Sequence, residues 1–128
     1  MTLSPHLQAA ANSATDTLMR EVKGAKAALI STEDGFEIAA RVENTAQVSR
    51  LSAMASSMAA LGAMAGEESQ LGQCNSLLMQ ADQGFMVIVQ IRRADASLIL
   101  SVITGPDAVV GQLLYFCRHA ALVLEALP

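Results

Sequence analysis

Charge is scarce in this sequence: 16% of its residues are charged, where about 25% is usual for soluble domains. Aromatics are scarcer still, at 3%, and there is no Trp. Eight basic against twelve acidic residues leave a net charge of −4. The chain therefore lacks the positive excess with which proteins hold nucleic acid or anionic membrane surfaces. Cys74 and Cys117 are its two cysteines, far apart and neither in a CxxC, a pattern expected of free, buried thiols in a cytosolic protein. What remains is 128 residues, a size for one domain, with 52% hydrophobic residues drawn mainly from Ala, Leu, Val, Ile and Met. Such a chain has too much apolar surface to stay disordered.

The missing charge is unevenly distributed. Between Arg50 and Asp82 only Glu67 and Glu68 are charged. Exposed, that stretch would leave a large apolar patch, and such patches mark interaction sites. The uncharged run 51–66 includes Ser52, Ser56 and Ser57 and falls short of the ~20 mainly apolar residues that a spanning helix needs. No membrane insertion is expected, no signal peptide is visible at the N-terminus, and the chain reads as cytoplasmic.

Ser4-Pro5 opens a helix with a capping residue and Pro at the first helical position. Leu7, Ala11, Ala14, Leu18 and Val22 make one apolar stripe before Gly24 stops it. Residues 27–32 and 36–41 read as hairpin arms around Asp34-Gly35, with Phe36, Ile38 and Ala40 on one face and Glu37, Ala39 and Arg41 on a solvated one. Asn44-Thr45 offers a cap for a helix over 46–66. There Leu51, Met54, Met58, Leu61 and Ala65 form one stripe, and Ala53, Ser57, Ala60 and Met64 a second of small residues. With no charged face after Arg50, that helix must be covered on both sides. Residues 74–80, 85–92 and 97–104 follow as an antiparallel meander, the middle strand apolar on both faces. Thr104-Gly105-Pro106-Asp107 then starts a final helix with Leu113, Cys117, Ala121 and Leu124 on one stripe. The expected fold is α+β: one domain of residues 1–128, a five-stranded antiparallel sheet sandwiched by helices, with an N-terminal helix over 1–24 and the core over 25–128.

Catalytic constellations are absent from this pattern. His6 and His119 read as plain helical residues. His119 lies two positions from Cys117, so on a helix the two face different ways and make no metal pair. Gly62 and Gly66 have GxxxG spacing within a helix, which suits close approach of another backbone, whether a second helix or the chain's own sheet. Arg92-Arg93 reads as a solvated hairpin tip. Met54, Met58 and Met64 read as core filling, with an adaptable binding surface as the other reading. No enzyme, cofactor or metal is expected.

The string over residues 27–39, the Ala/Ser/Met helix over 50–66 and the strands over 84–91 and 98–104 together resemble the Roadblock domain of dynein light chains and bacterial regulators of Ras-like GTPases, a profilin-like sandwich. The resemblance covers residues 5–127, and the N-terminal helix is a feature of bacterial members. It implies a non-enzymatic homodimer in which edge strands join two sheets and the central helices lie side by side. The expected interface is Ala53, Ser57, Ala60 and Met64 on the helix, with Cys74, Ser76, Leu78 and Gln80 on the edge strand. The implied role is a platform that docks a small Ras-like GTPase and biases its nucleotide state. A dimeric adaptor tethering a larger motor or signalling assembly, and a small-molecule sensor, are the competing functions.

Overall fold

Ser4 caps the first helix as its position suggests: its hydroxyl accepts from the Leu7 N–H at 3.1 Å, with Pro5 in the first turn. In the computed structural model, which describes residues 3–42 and 47–128, this helix is α1 (Pro5–Glu21). It leads into β1 (Ala25–Thr32), β2 (Glu37–Val42), α2 (Val48–Glu68), β3 (Ser76–Ala81), β4 (Gly84–Arg92), β5 (Ser97–Thr104) and α3 (Val110–Ala126). The five strands form one sheet in the order β2-β1-β5-β4-β3, and every neighbouring pair is antiparallel. Element order and sheet are those expected from the sequence. The Asn44-Thr45 cap expected for α2 lies outside the described residues.

The two faces of the sheet are packed differently. On one, Leu7, Ala11 and Leu18 of α1 and Leu113, Cys117, Ala121 and Leu124 of α3 close over inward residues of β1, β4 and β5. Large aliphatics fill that layer, among them Ile30, Ile91, Leu98 and Leu100, all fully buried; each such side chain stabilises by about 1.5–3 kcal/mol. On the other face, α2 rests on Leu29 through Val48 in its first turn and on Ile88 and Ile99 through Ala55 and Ala59, with Ser52, Gly62 and Gly66 also buried along the helix. Both faces of β4 are thus covered, as its sequence requires.

Neither stripe expected for this helix is its buried one. Met54 and Met64 do not fill the core; they are exposed, and Met58 is only half-buried. The reason is steric: a helix that lies close on a sheet of branched side chains turns its smallest residues inward and its bulky ones out. The glycine pair serves the chain's own packing. A Cβ on Gly62 would lie 2.9 Å from Leu77 Cδ1, and one on Gly66 would lie 2.5 Å from the Gly72 carbonyl oxygen. Ser31, Ser52 and Ser101 have buried hydroxyls without a protein partner among the described residues. Register places Ser31 opposite Ile99 and Ser101 opposite Leu29, so all three belong to this same thin layer.

Three local expectations are corrected. Phe36, Ile38 and Ala40 do not share an inward face: Phe36 sits in the turn, 68% exposed, Ile38 packs toward α1 and Ala40 toward α2, and Ala39 is the buried residue of β2. A register shift between Ile30 and Ser31 breaks the simple alternation, and β2 has helices on both sides. Pro106 and Asp107 form a turn, and α3 starts only at Val110, with no side-chain cap at Val109. Arg93 is no solvated tip: its side chain is 6% exposed. Its guanidinium donates to Leu124 O at 2.5 Å and Leu127 O at 2.9 Å, and pairs with Asp95 at 2.8 Å. From the other side Glu125 accepts the Arg92 N–H at 2.7 Å. The β4–β5 turn therefore ties down the end of α3, supplying donors for carbonyls that a helix end leaves unpaired. Arg93→Ala is expected to lower stability in urea unfolding by about 2–3 kcal/mol, through loss of charged hydrogen bonds to buried acceptors.

Candidate interaction surface

The eight residues expected at an interface fall into two adjoining groups. Ala53, Ser57, Ala60 and Met64 follow one another along α2 and are all exposed, on the side away from the sheet. Met54 and Leu61 stand beside them, 49% and 63% exposed. Sequence spacing assigns these two to a separate stripe, although the absence of charge from both stripes is the signal that could join them. Ser76, Leu78 and Gln80 lie on β3, the terminal strand of the sheet. Cys74 stands just before β3, half-buried, its thiol donating to Ser76 O at 3.6 Å. The groups meet where Leu77 packs under Gly62.

Hydrogen-bond alternation decides what β3 offers. A two-residue turn, Asp82-Gln83, joins β3 to β4, and Ala81 faces Gly84. The Gln90 N–H donates to Asn75 O at 3.1 Å. Odd-numbered residues thus turn their main chain toward β4, and Ser76, Leu78 and Gln80 direct theirs away from the sheet. Of these outward groups the Ser76 carbonyl takes the Cys74 thiol, and the Ser76 N–H and both groups of Leu78 and Gln80 have no partner among the described residues. The opposite edge is different: on β2, Gln8 donates to Ile38 O at 2.7 Å and Arg41 to Ala40 O at 2.8 Å. Side chains thus blunt the β2 edge along its length, whereas β3 is touched at Ser76 and stays open to pairing from there to Gln80.

Among the described residues no three His, Cys, Asp or Glu side chains come together as a metal cage. Among them, too, no helix is long and apolar enough to cross a membrane. Burial pushes the Cys117 thiol up to about 12, so it is protonated, and therefore unreactive, at neutral pH. His119 stacks on Tyr115 with ring centroids 6.0 Å apart and the rings nearly parallel.

No protein-family model matches the chain, and no curated protein sequence does. Solved structures do. The chain is similar to a Roadblock/LC7 domain from Streptomyces avermitilis, at 18% identity over 88% of this chain and 92% of that one, with a TM-score of 0.79. It is similar to the gliding protein MglB from Thermus thermophilus, at 16% identity, 98% and 93% coverage and a TM-score of 0.83. It is also similar to an MglB in a tetrameric arrangement, at 17% identity, 98% and 92% coverage and a TM-score of 0.85.

The raised Cys117 pKa has a consequence for stability. Because the folded pKa of about 12 lies above the ordinary 9.0, the folded state holds a proton that the unfolded state gives up. That contribution is intact below pH 9 and declines from there toward pH 12. Native protein at pH 8 should leave Cys117 unmodified by iodoacetamide, while urea-unfolded protein reacts there, as read by peptide mass. The agreement in element order, sheet and whole-chain superposition identifies the architecture: this chain has the Roadblock/LC7 fold.

Proposed function

We propose that this chain is a non-enzymatic, homodimeric regulatory platform that binds and modulates a small Ras-like GTPase. One observation carries the reading: an uncharged, exposed face of α2 adjoins a bare β3 edge on the same flank of the molecule. Pairing β3 with the same strand of a second copy about a two-fold axis would satisfy the outward groups of Ser76, Leu78 and Gln80. It would also bring the two α2 helices alongside each other with opposite directions. Ala53, Ser57 and Ala60 are small enough for two helices to approach closely there. The Roadblock fold, and the family role that the sequence resemblance implies, support the GTPase as partner. In mechanism, a dimer that binds one nucleotide state of the GTPase better than the other shifts its population by that difference in affinity.

The dimer is tested by substitutions that leave the protomer intact. Ala60→Glu places an unpaired charge in the helix contact, at a cost of several kcal/mol. Leu78→Pro removes an N–H that points away from β4. Both variants should fold yet sediment as monomers at micromolar concentration, where the parent sediments as a dimer; folded variants that sediment like the parent defeat the interface.

The partner is tested by mixing the purified protein with the Ras-like GTPases of the same organism. A change in hydrolysis, in exchange or in nucleotide-dependent affinity is expected with one of them. If none of the three changes with any, the regulatory role fails.

A further inference from the structure

The hairpin between β1 and β2 places an aromatic ring where the sequence pattern would not. Phe36 is one of three Phe in the chain and is 68% exposed. Glu33, Asp34 and Glu37 surround it in sequence and carry negative charge around the ring. A lone exposed Phe needs no explanation, but this one is held in a built turn.

The turn is fixed from several directions. The Thr32 hydroxyl donates to Asp34 Oδ1 at 2.6 Å and accepts the Phe36 N–H at 3.0 Å. The Thr32 N–H donates to Phe36 O at 2.9 Å, and the Gly35 N–H to Thr32 O at 3.0 Å. Gly35 has φ +92°, in the left-handed region, and a Cβ there would lie 3.3 Å from Ala53 Cα. The Ser56 hydroxyl donates to Glu33 O. The tip is therefore seated on α2 beside Ala53, continuous with the exposed face already described. With the turn held this way, the backbone that presents Phe36 loses little freedom on binding, which suits an anchor residue.

We propose that Phe36 and its flanking carboxylates form an anchor for a partner protein whose surface carries an apolar pocket bordered by Lys or Arg. This inference rests on the reading of the previous subsection, in which that partner is the Ras-like GTPase: docked over the part of α2 that the second copy leaves uncovered, it reaches the tip. Charge complementarity chooses this occupant over a second copy of the chain. The only charged residues of α2 beyond Arg50 are Glu67 and Glu68, which have the sign of the tip. In a two-fold dimer with opposed α2 helices, the partner copy's far end would bring them toward it and be repelled. The Thr32 hydroxyl holds the Asp34 carboxyl below its ordinary value, keeping that charge in place under mildly acidic conditions.

The test uses the full chain, the Ras-like GTPase, and three proteins: parent, Phe36→Ala, and Glu33→Gln/Glu37→Gln, each checked by sedimentation. Asp34 is left alone because it holds the turn. Phe36→Ala should weaken GTPase binding by about 30-fold with sedimentation unchanged. The double Gln variant should slow association several-fold at low salt, and the difference should fade as salt screens the rim. Parent and Phe36→Ala binding the GTPase equally would overturn the anchor and leave the platform standing. A parent that binds no GTPase removes both. Loss of self-association in Phe36→Ala would assign the ring to a second copy and overturn the proposal.

Discussion

The close seating of α2 on the sheet is the constraint on which the rest depends. Beyond its first turn, where Val48 meets Leu29, the helix can lie that near to Ile88 and Ile99 only by turning Ser52, Ala55, Ala59, Gly62 and Gly66 inward. Once it does, Met54, Leu61 and Met64 have nowhere to go but outward. The exposed apolar face is thus the geometric counterpart of a thin inner layer. The same closeness brings Gly66 onto the Gly72 carbonyl and Gly62 onto Leu77, which fixes the path of the chain into β3.

The two sides of the sheet consequently differ in strength. Large aliphatics from α1, α3 and three strands interdigitate on one side. On the other, small residues and the hydroxyls of Ser31, Ser52 and Ser101, which have no protein partner among the described residues, separate helix from sheet. Buried hydroxyls of that kind oppose folding, and small side chains contribute little burial. Stability resides in the α1/α3 layer, and the exposed apolar face of α2 is carried by the weaker one. That division suits a binding protein, because elements that adjust on docking are drawn from the less stable part of a fold.

The ends of the sheet show a similar division. Gln8 and Arg41 occupy outward carbonyls of β2, while on β3 the Cys74 thiol reaches Ser76 O and the outward groups of Leu78 and Gln80 are unpaired among the described residues. At the other end of the chain, Arg93 and Glu125 close the β4–β5 turn onto the last turn of α3. An arginine pair that looks like a solvated turn in sequence is here two different things: Arg92 contributes an N–H, and Arg93 a buried guanidinium that serves carbonyls more than thirty residues away. Asp95 pairs with it locally, but nothing near Arg93 in sequence marks its contact with α3, since the acceptors there are backbone atoms.

Periodicity, capping and turn residues determined the element order, the meander of the last three strands and the two-sided burial of β4, because each depends on residues near one another in sequence. Scarcity of charge over 51–81 likewise marked the flank where contact is proposed, since a face without charge shows its character before it folds. Tertiary structure alone decided which stripe of α2 turns inward, because that choice depends on the distance to the sheet rather than on hydropathy. It also decided that Phe36 stands in solvent and Arg93 does not. A register shift between β1 and β2 and a set of distant carbonyl groups govern those two positions, and neither leaves a trace in the local sequence.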